Sequence, residues 1–428
     1  MKSFLLQQVR LLAPGSKFHK KKVDILIESG KIKEIDKSIQ LKHSKGVEVI
    51  EEKGAYVSPG WFDMQVHLSD PGFEYKETFT ELNKAAIRGG FTGLLCYPNT
   101  DPVVDNSQVL RSLIQQTDQL PVDFYFTGAL SQGVHGKDLA EVFEMHNAGA
   151  LAFTDGSHPV QDSGLLLRAL QYTRSFSGLI IDCPMDMSLN GSGQMHEGPI
   201  STQLGMKGIP SLSETIALSR QLQLLDYSPS RFHVQPLSTP EAANMIGSAK
   251  RKHEGLSVGT SIQYLCMSDE ELLSFDPNYK LFPPLRSRKD VKALQKALQK
   301  GTIDVLTSAH QAQGMEEKNL QFEQAEPGML SLQSFFSLAN EHLIESGLID
   351  LEKWIELVSL RPRQILDIPF PQLTEGESAN LTIFHPKKEW EFTKNQIPSR
   401  AKNSPLIGRK MKGKVLGVIK GNRYFSLS

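Results

Sequence analysis

The chain has 428 residues, 39% of them hydrophobic, and sets 47 Lys and Arg against 48 Asp and Glu for a net charge of -1. That length exceeds the roughly 250 residues of a bare (β/α)8 barrel and suits one large barrel with a satellite. The even charge balance excludes the basic excess that a nucleic-acid or anionic-membrane partner requires.

The N-terminal run is apolar only briefly, broken by Gln7, Gln8 and Arg10. No apolar stretch reaches the roughly 18 residues of a membrane span, so neither signal peptide nor span is expected, and a cytoplasmic location is. Cys96, Cys183 and Cys266 lie far apart without a CxxC pair. That argues against a disulfide framework or a cysteine zinc site and fits a reducing compartment.

Residues 1–57 read as short strands with turns, with Val23, Ile25 and Ile27 alternating before Gly30. From Pro59-Gly60 onward, short apolar runs alternate with helical patterns. "FTGLLCYPN" reads as a buried strand ending in a Pro-Asn turn. A helix is expected from Ser211 to Leu225, with Ser211-x-x-Glu214 as a capping box and Leu218, Leu222 and Leu225 on one face. A second is expected from Asp290 to Lys300, stopped by Gly301, before the strand "TIDVLTS". Strand-helix alternation on this scale implies a parallel sheet closed into a TIM-like barrel. After residue 373 short strands return. The expected organisation is α/β, with a (β/α)8 barrel over 58–373. Residues 1–57 plus 374–428 would pair as a small β-sandwich-like unit.

The segment Pro59-Gly60-Trp61-Phe62-Asp63-Met64-Gln65-Val66-His67, continuing as "LSDPGFEYKET", resembles the opening barrel strand of dihydroorotases. So do "AAIRGGFT", Pro98-Asn99-Thr100, "FPPLR" at 282–286, "GTIDVLT" at 301–307 and "EEK" at 316–318. The closing "SANLTIF" and "KNSPLIGRKMKGKV" resemble the same family's terminal β-unit. The likeness runs nearly end to end. It implies a protein of pyrimidine synthesis, from a family that opens or closes the cyclic amide of dihydroorotate. Zinc at the C-terminal mouth of the barrel makes hydroxide near neutral pH and polarises the ring carbonyl.

Set against that family's pattern, the mouth is altered. The His-x-His pair of the first strand reads Gln65-Val66-His67, and an amide is a poor zinc ligand. His67 remains, although a lone histidine at a barrel mouth is more often structural. The family's substrate-gripping Arg is Ser69, which cannot form a bidentate charged clamp. Asn99 matches a substrate-contacting Asn, or is simply a turn residue. Asp155 matches a metal-bridging Asp, with an Asx-type turn as the preferred plain reading. Asp182 stands where the family has His and could still ligate zinc. Pro236 replaces a metal His, and His233, offset by three, points to the other face. Ala309 replaces the Asp that binds metal and moves the proton, Gln313 replaces a later His, and Phe282 replaces a substrate Asn. Gln263 and Tyr264 stand where the family carries imidazoles.

Two functional classes follow. The first expectation is a non-catalytic, dihydroorotase-like structural or regulatory subunit, without a cofactor, that assembles with aspartate transcarbamoylase and with itself. The alternative is a metal-dependent cyclic-amide hydrolase with a modified centre. That centre would use zinc on His67, Asp155 and Asp182, with His158, His196 or His310 as further candidates.

Overall fold

A computed structural model describes residues 3–41 and 46–427. The chain opens with β1 (Ser3–Leu11), β2 (Lys22–Glu28), β3 (Lys31–Asp36), β4 (Val47–Glu51) and β5 (Tyr56–Pro59). Gly60 leads straight into β6 (Trp61–Val66), followed by β7 (Phe91–Cys96), β8 (Asp123–Gly128), β9 (Ala152–Phe153) and β10 (Leu179–Asp182). A small pair, β11 (Met195–His196) and β12 (Gly208–Ile209), interrupts before β13 (Arg231–Val234), β14 (Leu256–Ser261) and β15 (Val305–Thr307). Three strands close the chain: β16 (Asn380–Glu391), β17 (Lys410–Lys420) and β18 (Arg423–Ser426).

Strands β6 to β10 and β13 to β15 form one parallel sheet in chain order, with helices in the connections. The sheet curls until its first and last strands meet. Val66 bridges His310, and His67 N–H donates to the His310 carbonyl at 2.9 Å. Covered on both faces, β6 and β7 are buried throughout, and β7 reads as a mostly apolar run rather than an alternation. Phe62, Met64, Leu95, Tyr97, Ile181 and Val305 pack in one apolar cluster.

The terminal strands form a second, mixed sheet in the order β18-β17-β16-β5-β1-β2-β3, with β4 also on β1. Trp61 joins the two sheets, its ring within 5.4 Å of Phe336, Trp354 and Phe384. Arg363 Nη1 donates to the Gly60 carbonyl at 2.8 Å and fixes the crossover from β5 to β6.

Two helix starts differ from the sequence reading. Asp290 lies inside the helix Arg288–Gln299, because Ser287 is the cap and its hydroxyl and the Asp290 carboxylate form the box. Ser211 does precede the helix Leu212–Tyr227, but its side chain caps nothing. Glu214 is instead buried, accepting from Ser238 and Thr239 N–H and paired with Arg286 at 3.3 Å. Helix Leu212–Tyr227 thus begins without a capping box because its acidic residue serves the interior.

Candidate functional site at the barrel mouth

Gln65 sits near the end of β6, and its Oε1 accepts from Gln235 Nε2 at 2.6 Å. Gln235 follows β13, and its Nε2 also donates to Thr307 Oγ1 at 2.8 Å. Ser261 Oγ, at the end of β14, donates to Gln65 Oε1 at 3.2 Å. Four strand ends are therefore tied by neutral amides and hydroxyls. Gly259 makes room for them: a Cβ there would lie 1.6 Å from Gln235 Oε1.

His67 lies beside this network. Its ring meets Tyr97 edge-on at 5.2 Å, and its Nδ1 is 3.3 Å from Ser157 Oγ. Burial, helped by the nearby His310, lowers its pKa to about 4, so the ring is neutral near neutrality. Asn99 fastens the loop above. Its Nδ2 donates to the Asp155 carbonyl at 3.0 Å, and its Oδ1 accepts from Ser157 N–H at 3.2 Å. Gly156 has φ +62°, and a Cβ there would fall 1.8 Å from Asn99 Oδ1.

The Asp155 carboxylate does not make the expected Asx-type turn. Its Oδ1 accepts the N–H groups of Leu130 and Ser131, after β8, at 2.9 and 2.8 Å. Asp182 accepts from Val160 N–H at 3.2 Å and Gln221 Nε2 at 2.7 Å, and burial raises its pKa to about 7. Both carboxylates are thus occupied by donors from neighbouring loops and helices. His233 is buried with Gln235, 3.4 Å from its Oε1, and bonded to Ser257 Oγ at 2.7 Å. Pro236 has no donor atom to offer a metal. Ala309 adopts φ +50°, in the left-handed region.

The remaining candidates are dispersed. His310 Nδ1 accepts from Ser331 N–H at 3.2 Å, so its Nε2–H donates to Glu77 at 3.2 Å. Ser399 binds the same carboxylate, which ties the mouth to the segment between β16 and β17. His158 Nδ1 is 3.4 Å from Asn99 Nδ2. His196 lies 3.7 Å from Asp290 and 3.5 Å from Arg286, with a pKa lowered to about 4 by burial and by that cation. Ser69 is buried, and Phe282 packs with Cys183, Met185 and Ile209. Gln313 accepts from Lys76 Nζ at 2.9 Å.

Among the described residues, no three His, Cys, Asp or Glu side chains converge as a metal-binding group. A zinc ion on His67 would find Gln65 committed to Gln235, and Asp155 to the backbone after β8. The donor set does not fit the family's zinc centre, which needs at least three good protein ligands. Sequence reasoning missed Glu214, Glu77 and Arg286 as the buried charges that shape this end. Arg286 stood in the open inside "FPPLR", but nothing in its spacing named a partner.

Comparison with known proteins decides the family. A 36% identity with the Dihydroorotase of Geobacter metallireducens runs over 98% of this chain and 99% of that protein. The chain belongs to the dihydroorotase family. The family model for Dihydro-orotase-like proteins matches residues 54–242. The Dihydroorotase of Acetivibrio thermocellus is 37% identical over 92% of both chains. In fold, the L-hydantoinase (dihydropyrimidinase) of Arthrobacter aurescens superposes with a TM-score of 0.86, covering 100% of this chain and 96% of its own, at 22% identity. The barrel with its terminal sheet is thus the amidohydrolase architecture. No helix of the described residues is long and apolar enough to cross a membrane.

Proposed function

We propose that this chain is a dihydroorotase-type protein of pyrimidine synthesis, directed at a cyclic amide through a modified centre. The observation that carries this reading is similarity over 98% of the chain to a protein named Dihydroorotase. That breadth favours a protein working on the dihydroorotate ring over a barrel kept for its shape. The modification lies in the Gln65–Gln235–Thr307 network and in Pro236 and Ala309, where the family pattern calls for metal ligands. The residues at the mouth do not compose a zinc site among the described residues.

A second reading is favoured by those same replacements: a non-catalytic subunit whose partner is aspartate transcarbamoylase. The comparisons lend that partner no support, and the enzyme reading fits them better. The identity of that partner rests on family analogy alone.

The test is conversion between dihydroorotate and carbamoyl aspartate by purified protein, with and without added zinc, alongside elemental analysis. Turnover that disappears in His67→Ala supports the modified-centre enzyme. Absence of turnover under both conditions, with well under one zinc per chain, removes it. Sizing of the chain mixed with aspartate transcarbamoylase then tests the subunit reading.

A further inference from the structure

Lys280, Lys318 and Lys402 are unusual cations. Lys280 and Lys318 are each only 8% exposed, and none of the three has a carboxylate within ion-pair distance among the described residues. Lys280 Nζ donates to the carbonyls of Phe322 and Glu323 at 2.9 and 3.0 Å, and Lys318 Nζ to that of Pro277 at 2.8 Å. Lys402 Nζ donates to the carbonyls of Ile397 and Ser399. Lys280 Nζ also lies over the Phe322 ring, 5.4 Å from its centroid. Buried charges are ordinarily paired, so cations without a carboxylate partner mark a place where a counter-charge is missing.

Lys318 and Lys402 open onto one cleft of about 420 Å3, completed by Lys394, Arg400, Asn278 and Gln313. Four of its lining residues are cations and none is Asp or Glu, in a chain whose net charge is only -1. Glu317 packs behind Gly314; its Oε1 accepts from Tyr75 Oη at 2.6 Å and pairs with Lys76 at 3.3 Å, while its buried Oε2, toward Gly314, has no hydrogen-bond partner among the described residues. Asp276 and Glu326 act on Lys318 only at longer range. Arg400 spends Nε on Glu81 and Nη1 on the Glu74 carbonyl, and its Nη2 makes no hydrogen bond among the described residues. Burial and the neighbouring Lys280 pull the Lys318 pKa down to about 7, the signature of an uncompensated cation.

The walls come from the loops after β14 and β15, the seventh and eighth barrel strands, and from the segment joining β16 to β17. In (β/α)8 barrels those two loops are a frequent setting for phosphate. Lysines suit phosphate as point charges. The volume falls within the roughly 300–1,000 Å3 of small-molecule sites.

We propose that this cleft binds a phosphorylated small molecule, of mononucleotide size or less, through Lys318, Lys394, Arg400 and Lys402. The proposal is independent of any chemistry at the barrel mouth.

The probe is pyrophosphate, titrated calorimetrically into the full chain at low ionic strength, with citrate as a second arm. Pyrophosphate is expected to bind with a dissociation constant at or below about 1 mM. Lys394→Glu, at an exposed position, should weaken it at least about tenfold, a change of about 1.4 kcal/mol, without altering thermal stability. Lys402→Met should weaken it in the same direction, and Lys388→Met, outside the cleft, should not. Absence of binding at about ten times that concentration, or equal binding by Lys394→Glu and Lys402→Met, overturns the site. Citrate binding more tightly than pyrophosphate overturns the phosphate assignment.

Discussion

Gln65 Oε1 and Gln235 Nε2 meet at 2.6 Å, joining β6 to the end of β13, strands that are not neighbours in the sheet. Both side chains are buried, so each amide depends on the other for satisfaction. Replacing Gln235 with Leu removes both of its Nε2 bonds and leaves Gln65 Oε1 with weaker donors. A loss of about 1–3 kcal/mol is expected from urea unfolding. In a double-mutant cycle, Gln65→Leu with Gln235→Leu should couple by more than about 0.5 kcal/mol. Additive losses would show that the two amides act separately.

Ala309 offers a test of backbone strain. Its φ of +50° costs an alanine about 1 kcal/mol, whereas glycine and asparagine enter that region more readily. Ala309→Gly and Ala309→Asn should be as stable as the parent or better, while Ala309→Val should lose more than about 1 kcal/mol. A valine variant as stable as the glycine variant would mean the backbone relaxes here. Ala309→Asp alone should create no zinc binding, because Gln65 and Pro236 still withhold their donors.

The barrel was legible because strands such as β7 are short, mostly apolar runs that alternate with helices carrying a regular apolar face. The replacements at Gln65, Pro236 and Ala309 were legible as residue types. What those residues do instead was not, since Gln235, Ser261 and Thr307 meet Gln65 only when the sheet closes. Asp155 shows the same limit. Its local sequence suggests a turn, but its partners at Leu130 and Ser131 come from the neighbouring strand's loop. Glu214 misled in the opposite direction, because its spacing from Ser211 imitates a cap while its carboxylate serves Arg286.

That ion pair sits wholly inside, with Arg286 at 1% and Glu214 at 0% side-chain exposure. Ser238 completes it, receiving Arg286 Nε at 3.0 Å. Removing one partner strands the other's charge away from water, so Arg286→Met should cost about 3–5 kcal/mol in chemical denaturation. Replacing both charges, as Arg286→Met with Glu214→Leu, should recover part of that loss. A double variant as unstable as the sum of the singles would show that Glu214 matters through Ser238 and Thr239 rather than through Arg286.

Asp182 supplies a pH dependence whose sign can be worked out. Burial lifts its pKa from 3.8 to about 7. Between those values the folded chain holds a proton that the unfolded chain has released. Stability from this group is therefore full below about pH 4 and lost as pH rises through about 7. His67 and His233, lowered by burial from 6.5 to about 4, act in the opposite sense, so their contribution is lost as pH falls from 6.5 to 4. The Asp182 effect is thus seen most cleanly by comparing variants rather than pH values. Asp182→Asn keeps the acceptor for Val160 N–H. Its new amide can donate to Gln221 Oε1, which has no partner among the described residues, once the Gln221 amide turns over. The variant should gain on the order of 1–3 kcal/mol at pH 8 and almost nothing at pH 4. Thermal denaturation at the two pH values measures it, and an equal gain or loss at both would mean that Asp182 ionises as freely in the folded chain as in the unfolded one.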